Sequence, residues 1–123
     1  MGIMYDMSFV ATLERHLKAI ATHDFEEFVA TVDPLVRLVG TEGKILEGGA
    51  AFDAHRQWFA DSSWRLHGEV IFMEQTADVG WALTRVRYEH GSSVANFLLF
   101  LLFHSDAAGV WKLAYDQGTP IAH

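Results

Sequence analysis

Histidines and carboxylates are the side chains of this sequence best suited to chemistry, and their spacing limits what that chemistry is. There are seven histidines. His16 and His23 are seven residues apart, His55 and His67 twelve, and His90 and His104 fourteen; His123 ends the sequence. No pair has the three- or four-residue spacing that puts two ligands on one helix face, and no HExxH pattern occurs, so neither a metal site nor a cofactor is expected. Glu42 and Glu47 flank a turn, where a carboxylate is either solvated or placed at the mouth of a cavity. His55 falls on the apolar face of a predicted helix, beside Trp58. There it is either a core histidine bonded to a backbone carbonyl or a group that moves a proton.

Arg85 and Arg87 share one face of a predicted strand with Trp81 and Leu83, and Thr84 and Tyr88 take the other. An Arg inside an apolar cavity favours an anionic ligand, because its planar fork binds two oxygens; at a sheet surface it is merely solubilising. In the last strand, Trp111, Leu113, Tyr115 and Gln117 alternate with Lys112, Ala114 and Asp116. The first set has the character of a cavity wall with Tyr115 and Gln117 as polar handles, which leaves Asp116 to bond backbone or face a subunit seam. The candidate ligand-binding residues are therefore His55, Trp58, Trp81, Arg85, Tyr115 and Gln117. No residue is marked as catalytic.

The elements that must position these groups follow from hydrophobic period. Residues 8–22 read as a helix, with Val10, Leu13, Leu17 and Ile20 on one face and Glu14, Arg15 and Lys18 on the other. Asp24 and Glu27 form a capping-box pattern that opens a short second helix containing Phe25, Phe28, Val29 and Val32, and Asp33-Pro34 ends it. Residues 35–39 read as a strand, 40–43 as a turn and 44–46 as a return strand, before a third helix over 50–60. Beyond Ser62-Ser63 the period becomes alternating, which predicts strands over 64–74, 79–90, 94–104 and 110–117, joined by hairpin-length turns into an antiparallel meander. From Leu98 to Phe103 one strand carries large apolar groups on both faces, so its outer face is expected to meet something apolar, most simply a second copy of the chain.

Composition narrows the partners. The chain has 123 residues, half of them hydrophobic, enough for one domain with a real core. The formal charge is −7 and the nine Lys and Arg residues are scattered, which argues against nucleic acid. The longest apolar run, Phe97 to Phe103, is far short of the roughly 20 residues a membrane helix needs. The absence of cysteine fits a reducing cytoplasm, and Met1 to Asp6 lack the basic segment and apolar run of a secretory signal.

This order of elements resembles the nuclear transport factor 2-like superfamily, in its SnoaL-like branch. Four local patterns carry the likeness: His23-Asp24-Phe25 with Glu27 and Phe28; Val39-Gly40-Thr41-Glu42 followed by Glu47-Gly48; Val79-Gly80-Trp81-Ala82; and Trp111-Lys112-Leu113 running into Asp116-Gln117-Gly118-Thr119-Pro120-Ile121. The resemblance covers nearly the whole chain. It implies an α+β fold, a cone-shaped barrel of strongly curved, mainly antiparallel sheet closed by three N-terminal helices, usually a homodimer, with a cavity between sheet and helices. Relatives of this kind include isomerases, dehydratases, epoxide hydrolases, polyketide cyclases and proteins that only bind. Ketosteroid isomerase-like members carry a basic Asp on the first strand, but the corresponding Leu38-Val39-Gly40 has no carboxylate, and Asp33 stands too early. The expectation is a cytoplasmic domain that binds a hydrophobic or weakly acidic small molecule. The alternative is a cofactor-independent isomerase, cyclase or hydrolyase, with His55 or Glu42 moving a proton and Tyr115 donating to an oxyanion.

Overall fold

The computed structural model describes residues 3–121, with side chains from Phe9 onward, so His123 lies outside the described residues. The order is α1 (Ile3–Ala21), α2 (Phe25–Ala30), β1 (Val32–Val39), β2 (Ile45–Glu47), α3 (Gly48–Ala60), β3 (Trp64–Gln75), β4 (Val79–His90), β5 (Ser93–Ser105) and β6 (Trp111–Pro120). The fold is α+β, with six strands in the order β2-β1-β6-β5-β4-β3. β3 to β6 form the expected meander, and β1 joins it by pairing parallel to β6. The ladder does not close on itself; β2 and β3 are its edges.

α1 buries Phe9, Leu13, His16 and Ile20, spaced three and four apart, against the inner face of the sheet. This stripe is rotated from the one expected, with Val10 and Leu17 at its margin and His16 in its centre. The His16 ring is fully buried among Phe28 and Phe103. Its Nδ1 lies 2.9 Å from Thr31 Oγ1, whose own proton goes to the Phe28 carbonyl, so the imidazole donates from Nδ1.

α1 ends at Ala21, and in the turn that follows His23 takes a left-handed φ of 57°. The Asp24 amide returns to the Ala19 carbonyl and the His23 amide to that of Ile20, a turn that usually wants glycine. Histidine is held there by stacking on Trp64 at 3.8 Å and by an Nε2 contact of 3.0 Å to the Trp64 carbonyl. Asp24 caps α2 by accepting from the Glu27 amide, but Glu27 turns its carboxylate to Arg15 at 2.6 Å instead of completing a capping box.

α2 stops at Ala30, three residues before the expected Asp33-Pro34 break. The Leu113 amide donates to the Thr31 carbonyl and draws the chain into the sheet, so Asp33 and Pro34 belong to β1. Pairing jumps from Val32–Leu113 to Arg37–Tyr115, so Pro34 sits in a bulged stretch where its missing N–H costs no ladder bond. β5 is apolar on both faces as expected, with Phe97, Leu99, Leu101 and Phe103 inward and Leu98, Phe100 and Leu102 outward. Gly80 lets α1 approach, since a Cβ there would stand 2.6 Å from the Phe9 ring, whereas one at Gly68 would meet Leu17 at 3.8 Å. Gly80→Ala should therefore destabilise the fold by about 1–3 kcal/mol through overpacking. Gly68→Ala should be neutral or slightly stabilising, and urea denaturation of the two variants checks the contrast.

Candidate functional site

Between the inner sheet face and the ends of the helices lies a cavity of about 330 Å³. Its wall is mostly apolar: Ile20 and Phe28 from α1 and α2, Leu38, Val39 and Leu46 from the first hairpin, Leu66, Phe97 and Leu99 from the meander. Gly40, Thr41 and Lys44 of the β1–β2 turn are exposed and border its mouth. The remaining polar groups are His55 and Trp58 of α3, Tyr88 of β4 and Asp116 of β6.

Asp116 is the group the sequence pattern did not place here. β6 pairs Leu102 with Tyr115 but Phe103 with Leu113, so Ala114 is an extra residue and the alternation reverses across it. Trp111 and Leu113 are buried on the inner side before the bulge; Asp116 and Gly118 face inward after it. No described residue donates a hydrogen bond to the Asp116 carboxyl. It keeps some accessible surface because it opens on the cavity, yet protein surrounds it, and desolvation raises its pKa from 3.8 to about 7.

His55 donates from Nδ1 to the Ala51 carbonyl, 3.0 Å away, which leaves Nε2 as an acceptor. It stacks on Phe28 at 5.0 Å, and burial holds its pKa below the ordinary histidine value, so the ring is neutral. Trp58 lies face to face with Trp64 at 4.0 Å and 6°, and the Trp64 Nε1–H donates to the Trp58 carbonyl at 2.7 Å. The Trp58 Nε1–H in turn donates to the Tyr88 hydroxyl at 3.1 Å.

Of the six candidate residues, His55 and Trp58 line the cavity, and the other four stand on the outer sheet face. In β4 the buried set is Gly80, Ala82, Thr84 and Val86, continuing to Tyr88, which turns Trp81 and Arg85 outward. The Arg85 side chain is solvated, 3.7 Å from Glu69. The small residues of β4 are those under α1, a sign that could have fixed the sense of the faces. Tyr115 and Gln117 are turned out by the Ala114 bulge, and the Tyr115 hydroxyl donates to Gln117 Oε1 at 2.5 Å. Glu47 pairs with Arg37 at 3.0 Å on the surface, and Glu42 is exposed outside the cavity wall. Among the described residues no cluster of three metal-binding side chains occurs, and no helix is long and apolar enough to cross a membrane.

The sheet order and the helices packed on one face define the nuclear transport factor 2-like, or cystatin-like, fold. Solved structures share it over almost the whole chain. A domain of unknown function with a cystatin-like fold from Nostoc punctiforme superimposes with a TM-score of 0.80 at 18% identity, covering 98% of this chain and 80% of that one. A nuclear transport factor 2-like protein of unknown function from Shewanella oneidensis gives 0.76 at 13%, covering 93% and 98%. A ketosteroid isomerase-like protein from Erwinia carotovora atroseptica gives 0.74 at 16%, covering 94% and 95%. No protein-family model matches the sequence, and no curated protein does.

Asp116 and His16 act on stability in opposite senses. Between pH 3.8 and about 7 folded Asp116 holds a proton that the unfolded chain has released, so stability falls as pH rises. Burial, with a smaller contribution from His55, lowers the His16 pKa from 6.5 to about 3, so between those values the unfolded chain takes up a proton the fold excludes, and stability rises with pH. Asp116→Asn should remove the falling limb and leave the rising one, to which His16 contributes up to about 1.4 kcal/mol per pH unit and His55 adds in the same sense. The variant should exceed the wild type by about 2–4 kcal/mol near pH 8 and show no gain near pH 4, read from urea denaturation at each pH.

Proposed function

We propose that this chain binds a small, predominantly apolar molecule, hydrophobic or weakly acidic, in the cavity between sheet and helices. The observation that carries the reading is an apolar-walled cavity of about 330 Å³ holding one carboxyl, Asp116, that accepts no hydrogen bond from any described residue. Leaving such a group without a partner costs free energy, and a bound molecule that supplies one recovers it. The four local patterns support a place in the SnoaL-like branch, with the sheet and helices as the cone that encloses the ligand. The composition supports a cytoplasmic protein. A panel of steroid-like, polyketide-like and small acidic compounds in thermal-shift assays tests binding. A ligand at a hundred times its Kd should stabilise the fold by about 2.7 kcal/mol, and no shift across the panel would sink the proposal.

A second reading, acid/base catalysis without a cofactor, is favoured by the same carboxyl. A pKa of about 7 leaves Asp116 able both to take and to return a proton at neutral pH, which isomerases, cyclases and hydrolyases of carbon acids require. In this reading Asp116 takes the role first sought in His55 or Glu42. The ketosteroid isomerase-like neighbour is consistent with it. Asp116→Asn should keep ligand binding within about tenfold and lower turnover of any substrate found by about 10²–10⁴. Equal turnover in the variant would remove the catalytic reading and leave the binding one standing.

A homodimer through the outer sheet face belongs to the same proposal. Trp81, Leu83, Leu98, Phe100 and Leu102 are only half-buried there, and Phe72 is 60% exposed, which makes a continuous apolar surface flanked by Arg85 and Gln117. Phe100→Glu should convert a dimer to a monomer in sedimentation equilibrium; a wild type that sediments as a monomer would refute the dimer.

A further inference from the structure

We infer that Tyr88 is the hydrogen-bond donor that selects the ligand, so that the cavity takes molecules carrying an acceptor oxygen, a carbonyl or enolate, on an apolar body. The inference rests on the binding reading above and names the chemistry of its ligand. An indole N–H can only donate, so in the 3.1 Å contact between Trp58 Nε1 and Tyr88 Oη the tyrosine oxygen is the acceptor. The phenolic proton must then point elsewhere, and no described residue accepts it. Both residues line the cavity. Accepting from Trp58 also strengthens the hydroxyl as a donor, since hydrogen bonds in series polarise one another.

Trp58 is not free to follow a ligand. It is stacked on Trp64 and held by the Trp64 Nε1–H on its carbonyl, and Trp64 is itself packed against His23 and wholly buried. The donor is therefore fixed before anything binds, which reduces the ordering cost of recognition. Other polar groups on the wall differ in kind or in place. His55 offers a lone pair at Nε2, Asp116 is a proton-exchanging acid, and Thr41 and Lys44 stand exposed at the mouth. The sheet register also separates Tyr88 from Asp116. Tyr88 pairs with Ala95, whereas Asp116 pairs with Leu101, six residues further along β5. An acceptor held by Tyr88 thus lies toward one end of the cavity, with the ligand's apolar body along the Leu66, Phe97 and Leu99 wall.

The test compares acetylnaphthalene with isopropenylnaphthalene, in which a CH₂ group replaces the ketone oxygen without changing the shape. Binding is measured by isothermal titration near pH 8.5, where Asp116 is ionised and cannot donate. The wild type should prefer the ketone by about 3–10-fold. Tyr88→Phe should abolish the preference while still binding the hydrocarbon, Trp58→Phe should reduce it, and Lys44→Met should leave it intact. The ratio within each variant cancels any general loss of stability. A preference that persists in Tyr88→Phe, or is absent from the wild type while both probes bind, overturns the assignment of Tyr88 and leaves the binding site standing. Failure of both probes to bind the wild type counts against the cavity as a ligand site and overturns the inference with it.

Discussion

One extra residue in β6 decides what the inside of this protein contains. Before Ala114 the strand turns Trp111 and Leu113 into the core; after it, Asp116 and Gly118 face inward. Strict alternation would have kept Tyr115 and Gln117 inside and put Asp116 at the surface, where its pKa would be ordinary. The same strand joins the two halves of the sheet, antiparallel to β5 and parallel to β1. A change of phase there is therefore registered on both sides, in the Leu38–Asp116 pair and in the Leu101–Asp116 pair. Gly118 completes the adjustment, because a Cβ at that position would stand 2.9 Å from the Thr41 side chain.

The charge balance of the interior follows from that placement. Two ionisable groups lie in the protein's least solvated regions, and desolvation drives both toward the neutral form, the carboxyl by raising its pKa and the imidazole by lowering it. Near neutral pH the fold therefore holds His16 uncharged and Asp116 poised between its two states. A buried histidine with a threonine partner is a structural element; a carboxyl with no partner among the described residues, open to a cavity, costs stability and invites a functional explanation.

Much of the architecture could be read from the residues. Apolar spacing predicts three helices in the observed order, the change of period after Ser63 marks the meander, and the doubly apolar Leu98–Phe103 run marks a strand with large apolar side chains on both faces. The inner face was legible only in part. His55 and Trp58 were found because a helix declares its buried side by period, and α3 is regular. Trp81, Arg85, Tyr115 and Gln117 were taken for cavity residues because a two-residue period identifies a pair of faces without saying which is inside. In β4 the small residues Gly80 and Ala82 under α1 resolve that choice. In β6 a bulge at an ordinary alanine leaves almost no mark in a single sequence. The burial of His16 was hidden for a different reason, since its partner Thr31 lies fifteen residues away at the end of another helix.

The parallel contact of Trp58 and Trp64 has an optical side. Two indole rings stacked 4.0 Å apart and nearly parallel are close enough for their electronic excitations to couple. One member touches the cavity and hydrogen-bonds its tyrosine, while the other is sealed in the core against His23. The stacked pair thus runs from the cavity wall into the core, with no other ring between them.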